Sequence, residues 1–169
     1  SLRGFGYLGA ENVAYSDGYN AKLNEVHASL ALANLDALPS QIDHHKRLYN
    51  LYIKNLRNID HIRIVRYSNT IRSSYKCILA FINSDLPNMR DKLVLHLNSM
   101  NILARCYYSP PLHQTTMDYP HADIGHLPNT DRLSRKLLIL PSGYQVTCDD
   151  VNDICQTIIN FFRTKKYNI

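Results

Sequence analysis

The sequence predicts an α+β fold: a small antiparallel or mixed sheet of three to four strands packed with about four helices. Three observations predict it. Apolar residues recur close to every 3.6 positions over a long stretch in the first third, and again at Val151, Ile154, Ile158 and Phe162. Short apolar runs at 74–82 and 137–140 read as buried strands. Cap and breaker residues (Asn24, Thr147, and the run Pro141, Ser142, Gly143) stand at the ends of these stretches. Helices on a small sheet are a two-layer solution for burying both kinds of apolar face.

Residues 1–19 have no helical period and are punctuated by Gly4, Gly6, Gly9 and Gly18. They read as an extended arm that needs a surface to lie against. The domain proper then runs over residues 20–169. Asn24 caps a helix with Glu25 in its first turn, where the macrodipole favours an anion. Val26, Leu30, Leu35, Leu38, Ile42, Tyr49, Tyr52, Ile53 and Leu56 form its stripe. Pro39 is expected to kink or break it, with Ser40 capping the second half. His44 and His45 are expected on its exposed side.

The segment from Ile62 to Arg66 alternates β-branched and basic residues like an edge strand, and 74–82 reads as a strand covered on both faces. Asp85 is expected to cap the next helix, with Pro87 in its first turn and Leu86, Leu93, Leu97 and Met100 on its buried side. Residues 102–107 read as a strand, and 109–128 as a long irregular stretch of the kind that is functional or disordered. A short helix over 131–136 and a strand over 137–140 follow. Thr147 with Asp150 forms a capping box before the last helix.

The 169 residues suffice for one domain with its own core. Hydrophobic residues make up 45% and charged residues 20%, the balance of a soluble globular chain rather than a disordered one. No apolar run approaches the ~20 residues of a membrane span, so no membrane partner is expected. The net charge of +5 permits anionic ligands without demanding them. Arg163, Lys165 and Lys166 read as a solvated helix end, and no nucleic-acid partner is expected from them. Cys77, Cys106, Cys148 and Cys155 lack C-x-x-C spacing and read as free, buried thiols of a cytoplasmic protein. The chain opens on Ser1 rather than Met, a start that a cloning scar, processing or proteolysis would each explain.

Two places carry candidate chemistry. The run Gly18, Tyr19, Asn20 precedes a helix start, where free N–H groups and an amide suit a phosphate; the local pattern taken alone favours a plain turn and cap. Tyr107, Tyr108, Ser109, Pro110, Pro111, Leu112 and His113 follow a strand and bring a phenol and an imidazole to its end. A proline-stiffened surface loop is the alternative. His113, His121 and His126 match no familiar zinc spacing, and no metal is expected.

The order of these features resembles the DegT/StrS family of sugar aminotransferases. Residues 18–28 resemble its G-Y-N-x-R-M-x-E-x-x-A run, and Leu35 to Leu38 the following Q-L-x-x-L. Lys46 and Arg47 stand where its long helix is basic, Asn101-Ile102 where it has glycine-isoleucine, and residues 108–113 match Y-P-x-P-L-H. Pro128, Thr130, Leu133, Leu140-Pro141 and the run Val146 to Val151 match its closing motifs, so the likeness covers about residues 2–162.

The resemblance implies the small C-terminal domain of a pyridoxal 5'-phosphate (PLP) enzyme. Such an enzyme moves an amino group, usually from glutamate, to a keto sugar on a nucleoside diphosphate, in surface-polysaccharide or antibiotic sugar synthesis. It implies that Asn20 reaches the PLP phosphate of the neighbouring subunit of a homodimer, with Lys22 beside it, and that Tyr108 and His113 lie near the nucleotide-sugar substrate. Lys22 stands for an arginine, which keeps charge and loses the bidentate fork. Ser109 replaces a proline, and Ser142-Gly143 departs from the usual residues after Leu-Pro. The family's PLP-binding large domain and its Schiff-base lysine fall ahead of Ser1, so the lone chain is expected to bind PLP weakly or not at all and to be inactive. Two other readings stand beside this one: a natural subunit completed by a separate large-domain chain, and an α+β module binding nucleotides or RNA.

Overall fold

The computed structural model describes residues 7–8, 13–14, 19, 21, 23–68, 70–84, 86–115 and 126–164. The chain divides into two compact units, Ser1–Ser40 and Gln41–Ile169. In the first, β1 (Tyr7–Leu8) and β2 (Val13–Ala14) pair antiparallel, so these four residues of the expected arm form a hairpin ladder.

The long helix α1 spans Glu25–Leu56 without a break. Asn24 caps it as the sequence predicts, its Oδ1 accepting from the His27 N–H at 2.9 Å. Of the expected kink or break at Pro39, the break does not occur. The ring deprives the Leu35 carbonyl of its donor, but Leu35 is 61% exposed and water can take that place. Ser40 does not cap a second helix; its hydroxyl donates back to the Ala37 carbonyl at 2.8 Å. Val26, Leu30, Leu35 and Leu38 are exposed, whereas His45, Leu48, Tyr49, Tyr52 and Leu56 are buried. His45 therefore corrects the expectation of an exposed His pair. Its burial, aided by the neighbouring His44, holds its pKa below the ordinary value.

The second unit carries an antiparallel sheet in the order β3-β4-β6-β5, from β3 (Ile62–Ile64), β4 (Ile78–Ile82), β5 (Arg105–Cys106) and β6 (Leu137–Leu140). The register sets Ile62 opposite Ile82, Ile78 opposite Leu140 and Cys106 opposite Leu138. With a side-chain period of two, Ile62, Ile64, Ile78, Ala80, Ile82, Leu138 and Leu140 share one face and are buried. The other face, with Leu79, Phe81, Leu137 and Ile139, is half-buried. The expectation that β4 is covered on both faces therefore holds for one face only. Arg63 lies 4.5 Å from the Phe81 ring on the half-open face.

The buried face joins one core with α2 (Met89–Ser99), α4 (Cys148–Arg163) and the second half of α1. Helix α2 begins later than expected, after Asn88, which takes a left-handed φ of 57° and makes no side-chain cap. Asp85 lies outside the described residues. Leu93 and Leu97 are buried as expected, while Met100 is 57% exposed. The helix ends in a Schellman motif: Ile102 N–H donates to Leu97 O at 2.9 Å and Asn101 N–H to Asn98 O at 3.1 Å. Asn101 sits there at φ 60°, the left-handed conformation that glycine adopts without steric cost. Tyr52 donates its buried hydroxyl to Pro141 O at 3.0 Å, and burial raises its pKa. The cysteines are free, but only Cys155 is buried, its thiol pushed up to about 12 by desolvation; Cys77 and Cys148 are exposed. Among the described residues no helix is long and apolar enough to cross a membrane.

Helix α4 starts on the predicted capping box. Asp150 N–H donates to Thr147 Oγ1 at 3.1 Å, and Thr147 N–H donates to Asp150 Oδ2 at 2.8 Å. The Thr147 N–H and the Thr147 hydroxyl, which donates to Asp150 Oδ2 at 2.7 Å, hold the Asp150 carboxyl below its ordinary value of 3.8. A depressed carboxylate stabilises the fold fully above its unfolded pKa and loses that contribution as pH falls through the lower folded value. Thr147→Ala is expected to cost about 1 kcal/mol in urea unfolding at neutral pH. Asp150→Asn is expected to flatten the acid limb of the stability profile below pH about 4, the region set by its ordinary pKa.

Candidate functional site

Strand β5 delivers the chain to the edge of the sheet, where Tyr107 N–H donates to Leu137 O at 3.3 Å. Tyr107 and Tyr108 then stack, with ring centroids 4.3 Å apart and planes 27° apart. Tyr108 is 67% exposed and turns its phenol outward. The Tyr108 hydroxyl beside Tyr107 raises the pKa of Tyr107. The Ser109–Pro110 bond is cis. Pro111 is buried, and a 3-10 turn over Leu112–Gln114 follows, closed by Gln114 N–H to Pro111 O at 2.9 Å and Thr115 N–H to Leu112 O at 3.0 Å.

This turn is bolted to the short helix α3 (Pro128–Ser134), which begins with proline in its first turn. Asp131 is the bolt. It is 8% exposed, and its Oδ1 accepts from His113 Nε2 at 2.9 Å and Gln114 Nε2 at 2.7 Å. An ionised carboxylate only accepts, so the hydrogen between them rides on His113 Nε2. His126 Nε2 stands 3.7 Å from Asp131 Oδ2 and is exposed. The Asp131 carbonyl accepts from Ser134 Oγ at 3.0 Å and Arg135 Nε at 3.1 Å.

A second buried ion fixes α3 to the sheet. Arg90, 3% exposed, donates through Nη1 to Ser134 O at 2.7 Å and Leu137 O at 2.9 Å, and through Nε to Asp91 Oδ1 at 2.8 Å. Cys106 Sγ lies 3.5 Å from the same Asp91 oxygen, and its pKa is raised first by burial.

Of the candidates read from the sequence, Tyr108 and His113 share this loop, one turned to solvent and the other onto Asp131. Asn20, Lys22 and His121 lie outside the described residues. Asp131, Gln114 and Arg90 were not singled out by sequence. The spacing of His113 and Asp131, 18 positions apart across an irregular segment, carries no local period. Among the described residues no group of three metal-ligating side chains forms a metal site.

The fit of a PLP group can be tested on the lysines. A lysine that carries such a cofactor needs desolvation to free its amine. Lys46, Lys54, Lys76 and Lys92 are exposed, and Lys136 is half-buried with Nζ 5.8 Å from the Phe81 ring. The described residues alone do not make a covalent PLP site.

Comparison with known proteins gives three kinds of likeness. The family model for the DegT/DnrJ/EryC1/StrS aminotransferase family matches residues 2–159. A dTDP-4-amino-4,6-dideoxy-D-glucose transaminase of Shigella dysenteriae is 27% identical over 157 residues, 93% of this chain and 42% of the relative. A GDP-perosamine synthase of Vibrio cholerae is 25% identical over 145 residues, 85% of this chain and 39% of the relative. The solved structure of DesI in the presence of its TDP-sugar product superposes with a TM-score of 0.81 at 25% identity, covering 98% of this chain and 42% of that one. The chain thus spans about two fifths of the length of the relatives it matches.

Asp131→Ala is expected to leave the His113 and Gln114 donors without their acceptor and to cost on the order of 1–3 kcal/mol in urea unfolding. Asp131→Asn keeps an accepting oxygen and is expected to lose less.

Proposed function

Because the chain belongs to the DegT/DnrJ/EryC1/StrS aminotransferase family, we propose that it is the C-terminal small domain of a PLP-dependent aminotransferase acting on nucleoside-diphosphate keto sugars. The observation that carries this reading is the family match over residues 2–159 of a chain that folds as a sheet and four helices. The similarity to a dTDP-4-amino-4,6-dideoxy-D-glucose transaminase and to a GDP-perosamine synthase supports the substrate class. Glutamate is the proposed amino donor, the cytoplasm the proposed compartment, and polysaccharide or antibiotic sugar synthesis the proposed setting.

In this reading the remaining part of the enzyme holds the cofactor and the lysine that bears it. This chain contributes positioning and binding. Asn20 donates its amide to the cofactor phosphate across a homodimer interface, and Lys22 adds a point charge beside it. Tyr108 offers its exposed phenol to the nucleotide-sugar as a hydrogen-bonding group on a ring stiffened by Tyr107. His113, locked at Nε2 by Asp131, has a fixed ring orientation from which to meet the same substrate. No proton transfer at the reacting carbon is assigned to these residues.

The test joins this chain to a large domain of the family, as a fused segment or a separate polypeptide, and assays amination of dTDP- and GDP-keto sugars with glutamate. The assembled protein is expected to turn over and the isolated chain to show neither turnover nor the visible absorbance of covalently bound PLP. Turnover by the isolated chain would overturn the reading, as would an inert, correctly assembled dimer. In the active assembly, Tyr108→Phe is expected to raise KM for the nucleotide-sugar about fivefold, the factor for one lost hydrogen bond of ~1 kcal/mol, with kcat little changed.

A further inference from the structure

Away from the Tyr107–Gln114 loop, the second half of α1 and the connection from β3 to β4 enclose a cleft of about 460 Å³, within the range of about 300–1,000 Å³ usual for small-molecule sites. Its wall is aromatic. Tyr49 lies 5.1 Å from Tyr75 and 5.4 Å from Tyr67, and Tyr67 lies 5.7 Å from Tyr75, ring centre to ring centre. The wall is held in place from behind. Tyr49 donates its hydroxyl to Val65 O and accepts the Tyr67 N–H, both at 3.2 Å, and Tyr67 donates to Cys77 O at 2.9 Å. Tyr75 takes a φ of 52° with its N–H donated to Ser73 Oγ at 3.1 Å, which fixes the direction in which its ring leaves the backbone.

The rim is cationic. Lys46 Nζ stands 5.9 Å from the Tyr75 ring centre, and Arg66 lines the same cleft. Residues 61–84 contain Arg63, Arg66, Arg72 and Lys76 and no Asp or Glu. Asp43, one turn before Lys46 on α1, is the acid nearest in sequence on the helix side. No Asp or Glu is among the described residues that line the cleft. Ile71, 57% exposed, provides an apolar edge. A flat aromatic ring finds stacking partners here, and a phosphate finds two cations at the rim.

We propose that this cleft seats a nucleoside diphosphate, its base against Tyr67, Tyr75 and Ile71 and its phosphates at Lys46 and Arg66. The choice of a nucleoside diphosphate over another aromatic anion rests on the nucleotide-sugar reading above; the aromatic wall and cationic rim do not. The site needs neither cofactor nor large domain, so it is tested on the 169-residue chain itself.

Calorimetric titration at low salt with TDP, UDP, GDP, uridine and inorganic pyrophosphate is the experiment. A nucleoside diphosphate is expected to bind more tightly than uridine or pyrophosphate. Lys46→Ala with Arg66→Ala, both at exposed positions, is expected to weaken it about tenfold, about 1.4 kcal/mol, with the far-ultraviolet circular dichroism unchanged. Lys92→Ala, on α2, is expected to leave binding unaltered. Absence of binding, or binding indifferent to the Lys46/Arg66 pair, overturns the proposal. So does a uridine oligonucleotide whose affinity grows with length beyond that of UDP, the mark of a single-strand surface. A failed transamination assay would leave this titration untouched, and a failed titration would leave that assay untouched.

Discussion

The placement of the loop that carries Tyr108 and His113 depends on one buried guanidinium. Arg90 is 3% exposed, and burying an unpaired cation costs several kcal/mol. The cost is offset only if its donors meet acceptors, and those acceptors are the carbonyls of Ser134 and Leu137 and the carboxylate of Asp91. Helix α2, the end of α3 and the start of β6 must therefore come together at one point. Asp131 lies one turn before Ser134, so the same constraint sets where its carboxylate stands. His113 and Gln114 follow from that carboxylate, and the stacked tyrosines from the turn they close. The chain of dependence runs from a core ion to an exposed phenol.

That dependence explains a division of labour. The apolar core fixes the sheet and the helices that cover one face of it, and any similar set of side chains could do the same. The polar junction is less replaceable, because a partly satisfied buried network is worse than none. The family match, extending from residue 2 to residue 159, runs through both parts. The nucleotide-sugar reading asks for a rigid platform beside a substrate. The junction supplies rigidity where the covering helices do not reach.

Elements whose cause is local were legible in the sequence. Leu137 to Leu140 is a strand at the expected bounds, since its apolar run is closed by Pro141. Thr147 and Asp150 make the expected box, since both partners lie within one turn. Asn101 could be matched to a family glycine, and its φ of 60° gives the physical reason. What sequence reasoning missed has non-local causes. Pro39 stays inside a helix because its surroundings are solvent, and His45 is buried because the segment around Ser74 folds against it. Asp131 gains its importance from residues on a different turn, brought near by Arg90. The sites assigned to Asn20 and Lys22 came from resemblance, since a turn before a helix start has the same local pattern with or without a phosphate.

The central claim is that the buried Arg90 junction holds the site loop, and amide hydrogen exchange on Arg90→Lys tests it most directly. The substitution keeps a cation and loses the fork that reaches two carbonyls and a carboxylate at once. The account predicts faster exchange at the Gln114 and Thr115 amides of the 3-10 turn, together with the Leu137–Leu140 strand. Faster exchange in the strand with unchanged protection of the Gln114 and Thr115 amides would contradict it.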